Sequence, residues 1–211
     1  MHVAIPLFDG LTALDAVGPY EVLSRAPGWD LTFVAAVAGG KRTENDLLTL
    51  NADAALSDVP RPDIVVVPGG AGTRREGNDE LVDWIRSAHE HTTWTASVCT
   101  GSLLLGRAGV LDGLRATGHW MHLETLRQYG AEPTTERVVE QGKVITAAGV
   151  SSGIDMALRL LQLELGDDVA QAVQLSIEYD PQPPFDAGSP DKAPAHIVDI
   201  VRRAAERVEA S

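Results

Sequence analysis

The sequence predicts an α/β domain built on a mostly parallel sheet. Apolar, β-rich runs alternate along the chain with segments of helical period, and the runs stay apolar at consecutive positions, as strands covered on both faces do. The length of 211 residues, 44% of them hydrophobic, suffices for one sizeable core, so residues 1–211 are expected to form a single domain.

His2 to Leu7, Asp30 to Ala38, Asp63 to Val67 and Trp94 to Val98 read as strands. Leu11 to Arg25, Asp79 to His91, Ser102 to Ala108, His122 to Tyr129 and Ser152 to Leu165 read as helices, with Gly18-Pro19 interrupting the first. Glu136 to Val139 and Val144 to Ala147 flank the turn signal Gln141-Gly142, which predicts a small hairpin appended to the main sheet. From Tyr179 to Pro194, five prolines with Gly188, Ser189 and three aspartates form a segment without periodicity, a functional loop or an interface arm. Ala195 to Val208 follows as a helix with Ile197, Ile200, Val201 and Ala204 on one stripe.

The net charge of −13 repels phosphate backbones, and Arg74-Arg75 and Arg202-Arg203 are isolated pairs, so no nucleic-acid partner is expected. Met1 to Pro6 lacks the basic, apolar and small-residue sequence of a signal peptide. The most apolar stretch, Val144 to Leu165, is interrupted by Asp155, Arg159 and Glu164, so no membrane span is expected. One cysteine excludes an internal disulfide and a cysteine-rich zinc site, and a cytoplasmic setting fits best.

Cys99 falls where the apolar strand Thr95 to Val98 turns through Thr100-Gly101 into the run Ser102-Leu103-Leu104-Leu105. This is the setting of a nucleophile elbow, in which Gly101 avoids a clash and a helix N-terminus favours the thiolate. The alternative is a buried, inert thiol. Asp15 shares a helical face with Leu11, Leu14, Gly18 and Val22, so its carboxyl is paired, protonated or functional, or else serves backbone amides locally. If functional, it is a proton donor at neutral pH. Pro68-Gly69-Gly70-Ala71-Gly72 ends a buried strand in a loop whose amides can face an anion, or simply turns the chain; it matches no nucleotide fingerprint. His119 and His122 lack the further ligands a metal needs. His119 suits a pocket wall, His122 an ordinary helix start, and His2, His89, His91 and His196 the solvated surface or an edge.

Pro68-Gly69-Gly70, Ser97-Val98-Cys99-Thr100-Gly101-Ser102, Arg115-Ala116-Thr117-Gly118-His119-Trp120 and Pro184-Phe185-Asp186-Ala187-Gly188-Ser189-Pro190 resemble the ThiJ/PfpI superfamily, and within it the isonitrile hydratases. The resemblance implies a flavodoxin-like three-layer sandwich of the class I glutamine amidotransferase type, a homodimer, and cofactor-free, metal-free hydration of an isonitrile to an N-substituted formamide. Cys99 would attack, Asp15 supply the proton, and Thr100 hydrogen-bond Asp15 or the substrate. The amides of Gly70 and Thr100 would orient the adduct, with Gly69, Gly70, His119 and Trp120 lining the substrate site. Gly118 departs from the pattern, which has a second threonine there and so a different pocket wall.

Other members imply other chemistry on the same cysteine: amidase or peptidase activity, for which Thr100 stands where that group carries histidine, or glyoxal handling. A ligand sensor resembling the amino-terminal domain of AraC-like regulators is the non-enzymatic alternative; no helix-turn-helix is expected after the arm.

Overall fold

The computed structural model describes residues 1–209; residues 210 and 211 of the expected single domain lie outside the described residues. In chain order the strands are β1 (His2–Pro6), β2 (Asp30–Ala35), β3 (Gly39–Arg42), β4 (Thr49–Ala52), β5 (Ala54–Ala55), β6 (Ile64–Val67), β7 (Trp94–Val98), β8 (Arg115–Ala116), β9 (Glu132–Pro133), β10 (Val138–Gln141) and β11 (Val144–Ala147). The helices are α1 (Ala13–Leu23), α2 (Asp79–His89), α3 (Gly101–Arg107), α4 (Leu123–Leu126), α5 (Ser152–Leu165), α6 (Asp167–Ser176) and α7 (Ala195–Glu209). Two compact units result, Met1–Ile177 and Glu178–Ser211.

The first unit holds a seven-stranded sheet in the order β10-β11-β7-β6-β1-β2-β5. All its pairings are parallel except β10 with β11. The four residues of β6 and all but the first of β1 are buried, because a central parallel strand is covered on both faces. Helices α1, α5 and α6 pack in succession, as do α2, α3 and α4, giving the sheet flanked by helices that the sequence predicts.

The expected hairpin is present around Gly142, at φ +58. It is part of the main sheet: β11 lies parallel to β7, pairing Thr146 with Ser97, and β10 forms the antiparallel edge. Gly18-Pro19 does not interrupt α1, which runs through Pro19. A Cβ on Gly153 of α5 would lie 3.2 Å from the Pro19 ring, so α5 packs closely against α1 at the proline. His89 is not a solvated residue: it is partly buried on the Thr95 hydroxyl at 2.9 Å, and burial lowers its pKa.

The second unit has no helix or strand before α7, on which Ile197, Ile200 and Val201 remain 38%, 58% and 41% exposed. Among the described residues no helix is long and apolar enough to cross a membrane.

The chain passes from β1 to β2 on one side and from β6 to β7 on the other, while β1 and β6 are neighbours. The carboxyl ends of these strands therefore meet at a topological switch point, where open α/β sheets present their ligand sites.

Candidate functional site

Three loops converge at that edge. The turn after β1 enters α1 and delivers Asp15, the turn after β6 is Pro68 to Gly72, and the turn after β7 is Cys99-Thr100. Cys99 adopts φ +58, a left-handed conformation a non-glycine residue holds only under constraint. Its N–H is shared between the carbonyls of Ala147 and Ala148, at 3.1 and 2.9 Å, and the Ser102 hydroxyl donates to its carbonyl at 3.0 Å. Gly101 is required by the elbow, as expected: a Cβ there would come 2.2 Å from the Val67 carbonyl oxygen.

Asp15 is fully buried. Its Oδ2 accepts the Gly69 N–H at 2.9 Å, whereas Oδ1 accepts no conventional hydrogen bond and its carboxyl interacts with the Cys99 thiol. Burial pushes the Asp15 pKa up to about 7, against the Gly69 amide and the Cys99 thiol, which pull it down; the Glu44 carboxylate adds to the rise. The sequence places Asp15 and Cys99 far apart, and the fold makes them one coupled pair.

The Cys99 thiol does not follow the expectation of a helix N-terminus lowering its pKa. Burial, then the charge of Asp15, drive it up; the amides of Thr100 and Val150 oppose them without prevailing. The dipole of the seven-residue α3 is outweighed by desolvation.

Gly69 sits where Asp15 and Thr100 meet. A Cβ at Gly69 would lie 2.5 Å from the Thr100 nitrogen, 2.7 Å from its Oγ1 and 2.8 Å from Asp15 Oδ2. The Thr100 hydroxyl accepts the Gly70 N–H at 2.8 Å and donates to the Gly70 carbonyl at 3.1 Å. That geometry differs from the sequence expectation on two points. The Gly70 amide is engaged by Thr100 rather than directed at an adduct, and the Thr100 hydroxyl bonds Gly70 rather than Asp15.

His119 borders the elbow through its chain neighbours. Its ring lies 3.1 Å from where a Gly149 Cβ would sit, while a Cβ at Gly118 would be 3.0 Å from the Cys99 carbonyl oxygen. Its Nδ1 is buried without a partner, and burial followed by the charge of Arg74 lowers its pKa, giving a neutral imidazole at pH 7. The Trp120 ring lies beside that of His119, centroids 5.9 Å apart. His122 stands equally far from His119, and no group of three or more metal-ligating side chains gathers among the described residues.

Sequence reasoning missed two residues. Val150 directs its amide to the Cys99 sulfur from the β11-to-α5 corner and sits at φ +24, strained for a β-branched side chain. The pattern Ala147-Ala148-Gly149-Val150-Ser151-Ser152 is itself a strand-to-helix corner of small residues, a signal that could have pointed to it. Glu44, between β3 and β4, has no local signal.

A model of the DJ-1/PfpI family matches residues 1–163. The chain belongs to the DJ-1/PfpI family. Isonitrile hydratase of Pseudomonas putida is 43% identical, over 97% of this chain and 90% of its own length. The HTH-type transcriptional regulator CdhR of Pseudomonas aeruginosa is 31% identical over 83% of this chain, but only 52% of the regulator is matched. Among solved DJ-1/PfpI structures, a ThiJ/PfpI family protein from Pseudomonas syringae superposes with a TM-score of 0.90 at 32% identity, over 97% of this chain and 86% of that one. Schizosaccharomyces pombe DJ-1, at TM-score 0.74 and 20% identity over 85% and 100%, shares the fold.

Proposed function

We propose that this chain is an enzyme that hydrates an isonitrile to an N-substituted formamide, with Cys99 as nucleophile and Asp15 as proton carrier. The observation that carries the reading is the buried Asp15–Cys99 pair, with an Asp15 pKa near 7, in a chain 43% identical to an isonitrile hydratase. The terminal carbon of an isonitrile must receive a sulfur and a proton together, and only a thiolate beside a protonated acid offers both.

The reactive form is the pair after loss of its first proton, in the tautomer that keeps the remaining proton on Asp15 and the negative charge on sulfur. Sulfur bonds to the isonitrile carbon while the Asp15 proton passes to that same carbon, leaving an S-linked thioimidate and an Asp15 carboxylate. The carboxylate then takes a proton from water as the water oxygen attacks the carbon. Transfer of the hydroxyl proton to nitrogen and departure of sulfur release the formamide and regenerate thiolate and acid. Thr100, gripped by Gly70, and Gly69, gripped by Asp15, fix the two reacting groups. The amides of Thr100 and Val150 stabilise the sulfur anion. His119, neutral, and Trp120 flank the substrate, and Gly118 widens the wall beside them. No cofactor enters this sequence. A cytoplasmic setting and a homodimer are parts of the proposal, the homodimer supported by the exposed apolar stripe of α7.

Incubation with an alkyl isonitrile is expected to yield the N-formamide, and Cys99→Ala and Asp15→Asn to abolish turnover. Rapid quench and mass spectrometry should find substrate covalently added to Cys99. No product from the wild type, or full turnover by Cys99→Ala, refutes the reading. Sedimentation at a stable 22.4 kDa refutes the homodimer.

A further inference from the structure

Three consecutive amides of the loop after β6 end on side chains from three different elements. Gly69 N–H meets Asp15 at 2.9 Å, Gly70 N–H meets Thr100 at 2.8 Å, and Ala71 N–H meets Glu44 Oε2 at 3.2 Å. The first two acceptors belong to the reactive centre, and the third is the residue between β3 and β4 that no motif singles out. The other Glu44 oxygen accepts from Thr12 Oγ1 at 2.9 Å, three positions before Asp15. The backbone closes the same circuit, with Glu44 N–H on the Leu11 carbonyl at 3.0 Å and Thr12 N–H on the Gly69 carbonyl at 2.9 Å.

We propose that Glu44 is a positioning residue of the reactive pair, its carboxylate clamping the Gly69–Ala71 loop to the start of α1 so that Asp15 and Thr100 are held against Cys99. This rests on the hydration reading above for the identity of the reacting groups. A two-handed clamp between the loops that carry Asp15 and Thr100 fixes their separation, the quantity on which a concerted addition depends most steeply.

Charge adds a second effect that a neutral clamp would lack. Asp15 is acted on by Cys99 from the elbow and by Glu44 from the β3–β4 loop. Glu44 in turn faces Asp15 and His119, and Arg74 acts on His119 from the turn after Ala71. An anion at Glu44 disfavours loss of the first proton from the Asp15–Cys99 pair. Glu44 is an exposed residue, so solvent weakens this effect and salt screens it further.

The test uses the full chain and two readouts: turnover of an alkyl isonitrile, and the rate of Cys99 alkylation by iodoacetamide against pH. In Glu44→Gln the alkylation inflection is expected to move down by about 0.2–0.7 pH unit, and 1 M KCl to move the wild type the same way while leaving the variant in place. Thr12→Val, which frees one Glu44 oxygen without touching its charge, should lower kcat several-fold with KM and inflection nearly unchanged. An inflection in Glu44→Gln that coincides with the wild type overturns the proposal, since a merely structural residue predicts that. So does wild-type kcat in both variants. Failure of the wild type to make formamide would instead count against the hydration reading, and the alkylation profile would still decide the role of Glu44.

Discussion

Asp15→Asn should raise the stability of the protein above pH 7 while abolishing its activity. The carboxyl moves from its ordinary 3.8 to about 7 in the folded chain, and a tenfold change in proton affinity corresponds to about 1.4 kcal/mol. Keeping Asp15 ionised in the folded state therefore costs about 4 kcal/mol. The folded pKa lies above the unfolded one, so the stabilisation belonging to this group is complete below pH 3.8, declines as pH rises, and is lost once pH passes about 7. Asparagine carries no such dependence. Its Oδ1 can keep the bond from the Gly69 N–H, and it places a neutral amide beside the thiol. Urea unfolding of both proteins at pH 4.5, 6, 7 and 8.5 should show the variant gaining on the wild type by about 2–4 kcal/mol across the series, with the coupling to Cys99 and imperfect packing of the amide reducing the full value. Titrations elsewhere cancel in the difference. A difference that stays flat with pH would mean that Asp15 is not held protonated by burial, and the assignment of the proton carrier would fall with it.

Turnover and Cys99 alkylation should both rise through an apparent pKa near 7, because the Asp15–Cys99 pair loses its first proton there and the singly charged pair includes the tautomer with the charge on sulfur; a single inflection near that of a free thiol contradicts the coupling. Gly69→Ala should cut kcat by about 100-fold or more, since its Cβ would collide with Thr100 and with Asp15 Oδ2; near-normal kcat means that the loop is not a template. Gly118→Thr places a Cβ 2.3 Å from Ser102 Oγ and 3.0 Å from the Cys99 carbonyl oxygen, so thermal unfolding should report a loss of about 1–3 kcal/mol. Because the Ser102 Cβ lies at 3.5 Å, Ser102→Ala should restore part of that loss. Additive single effects in a double-mutant cycle would show that the two positions do not compete for space.

The central strands were legible because burial on both faces writes itself as uninterrupted apolar residues, as in Ile64-Val65-Val66-Val67. The ladder of β3 with β4 was not, since Gly39-Gly40-Lys41-Arg42 has no apolar residue and pairs through its backbone, with one side-chain bond from Arg42 to Thr49. Helix α6 buries only Ala170 and Val173, too thin a stripe to read against its polar remainder. At the site, the strand-to-helix switch made Cys99 legible and one misplaced charge on an apolar face marked Asp15. Their contact was not, because it joins β1, β6 and β7 across 54 positions between Asp15 and Gly69 and 30 between Gly70 and Thr100. The direction of the thiol pKa failed for the same reason. Burial is a property of the whole fold, and local reasoning saw only the helix that follows.

The arrangement also weighs against an inert cysteine. Strands β7 and β11 are neighbours, and the turn after each holds a non-glycine residue with positive φ, Cys99 at +58 directly after β7 and Val150 at +24 three residues after β11. Such conformations cost about 1–3 kcal/mol each and persist only where surroundings enforce them. Here the two corners brace one another: the Cys99 N–H bonds the carbonyls of Ala147 and Ala148, and the Val150 amide faces the Cys99 sulfur. Add an ionised Asp15 in a dry site above pH 7, and the costs reach a large part of the 5–15 kcal/mol that typically keeps a domain folded. A glycine at either corner, or an asparagine at position 15, would relieve one of them without disturbing the sheet. Strain, a buried acid and a thiol collected at a single switch point fit the proposed reaction centre, and a packing role for Cys99 explains none of the three.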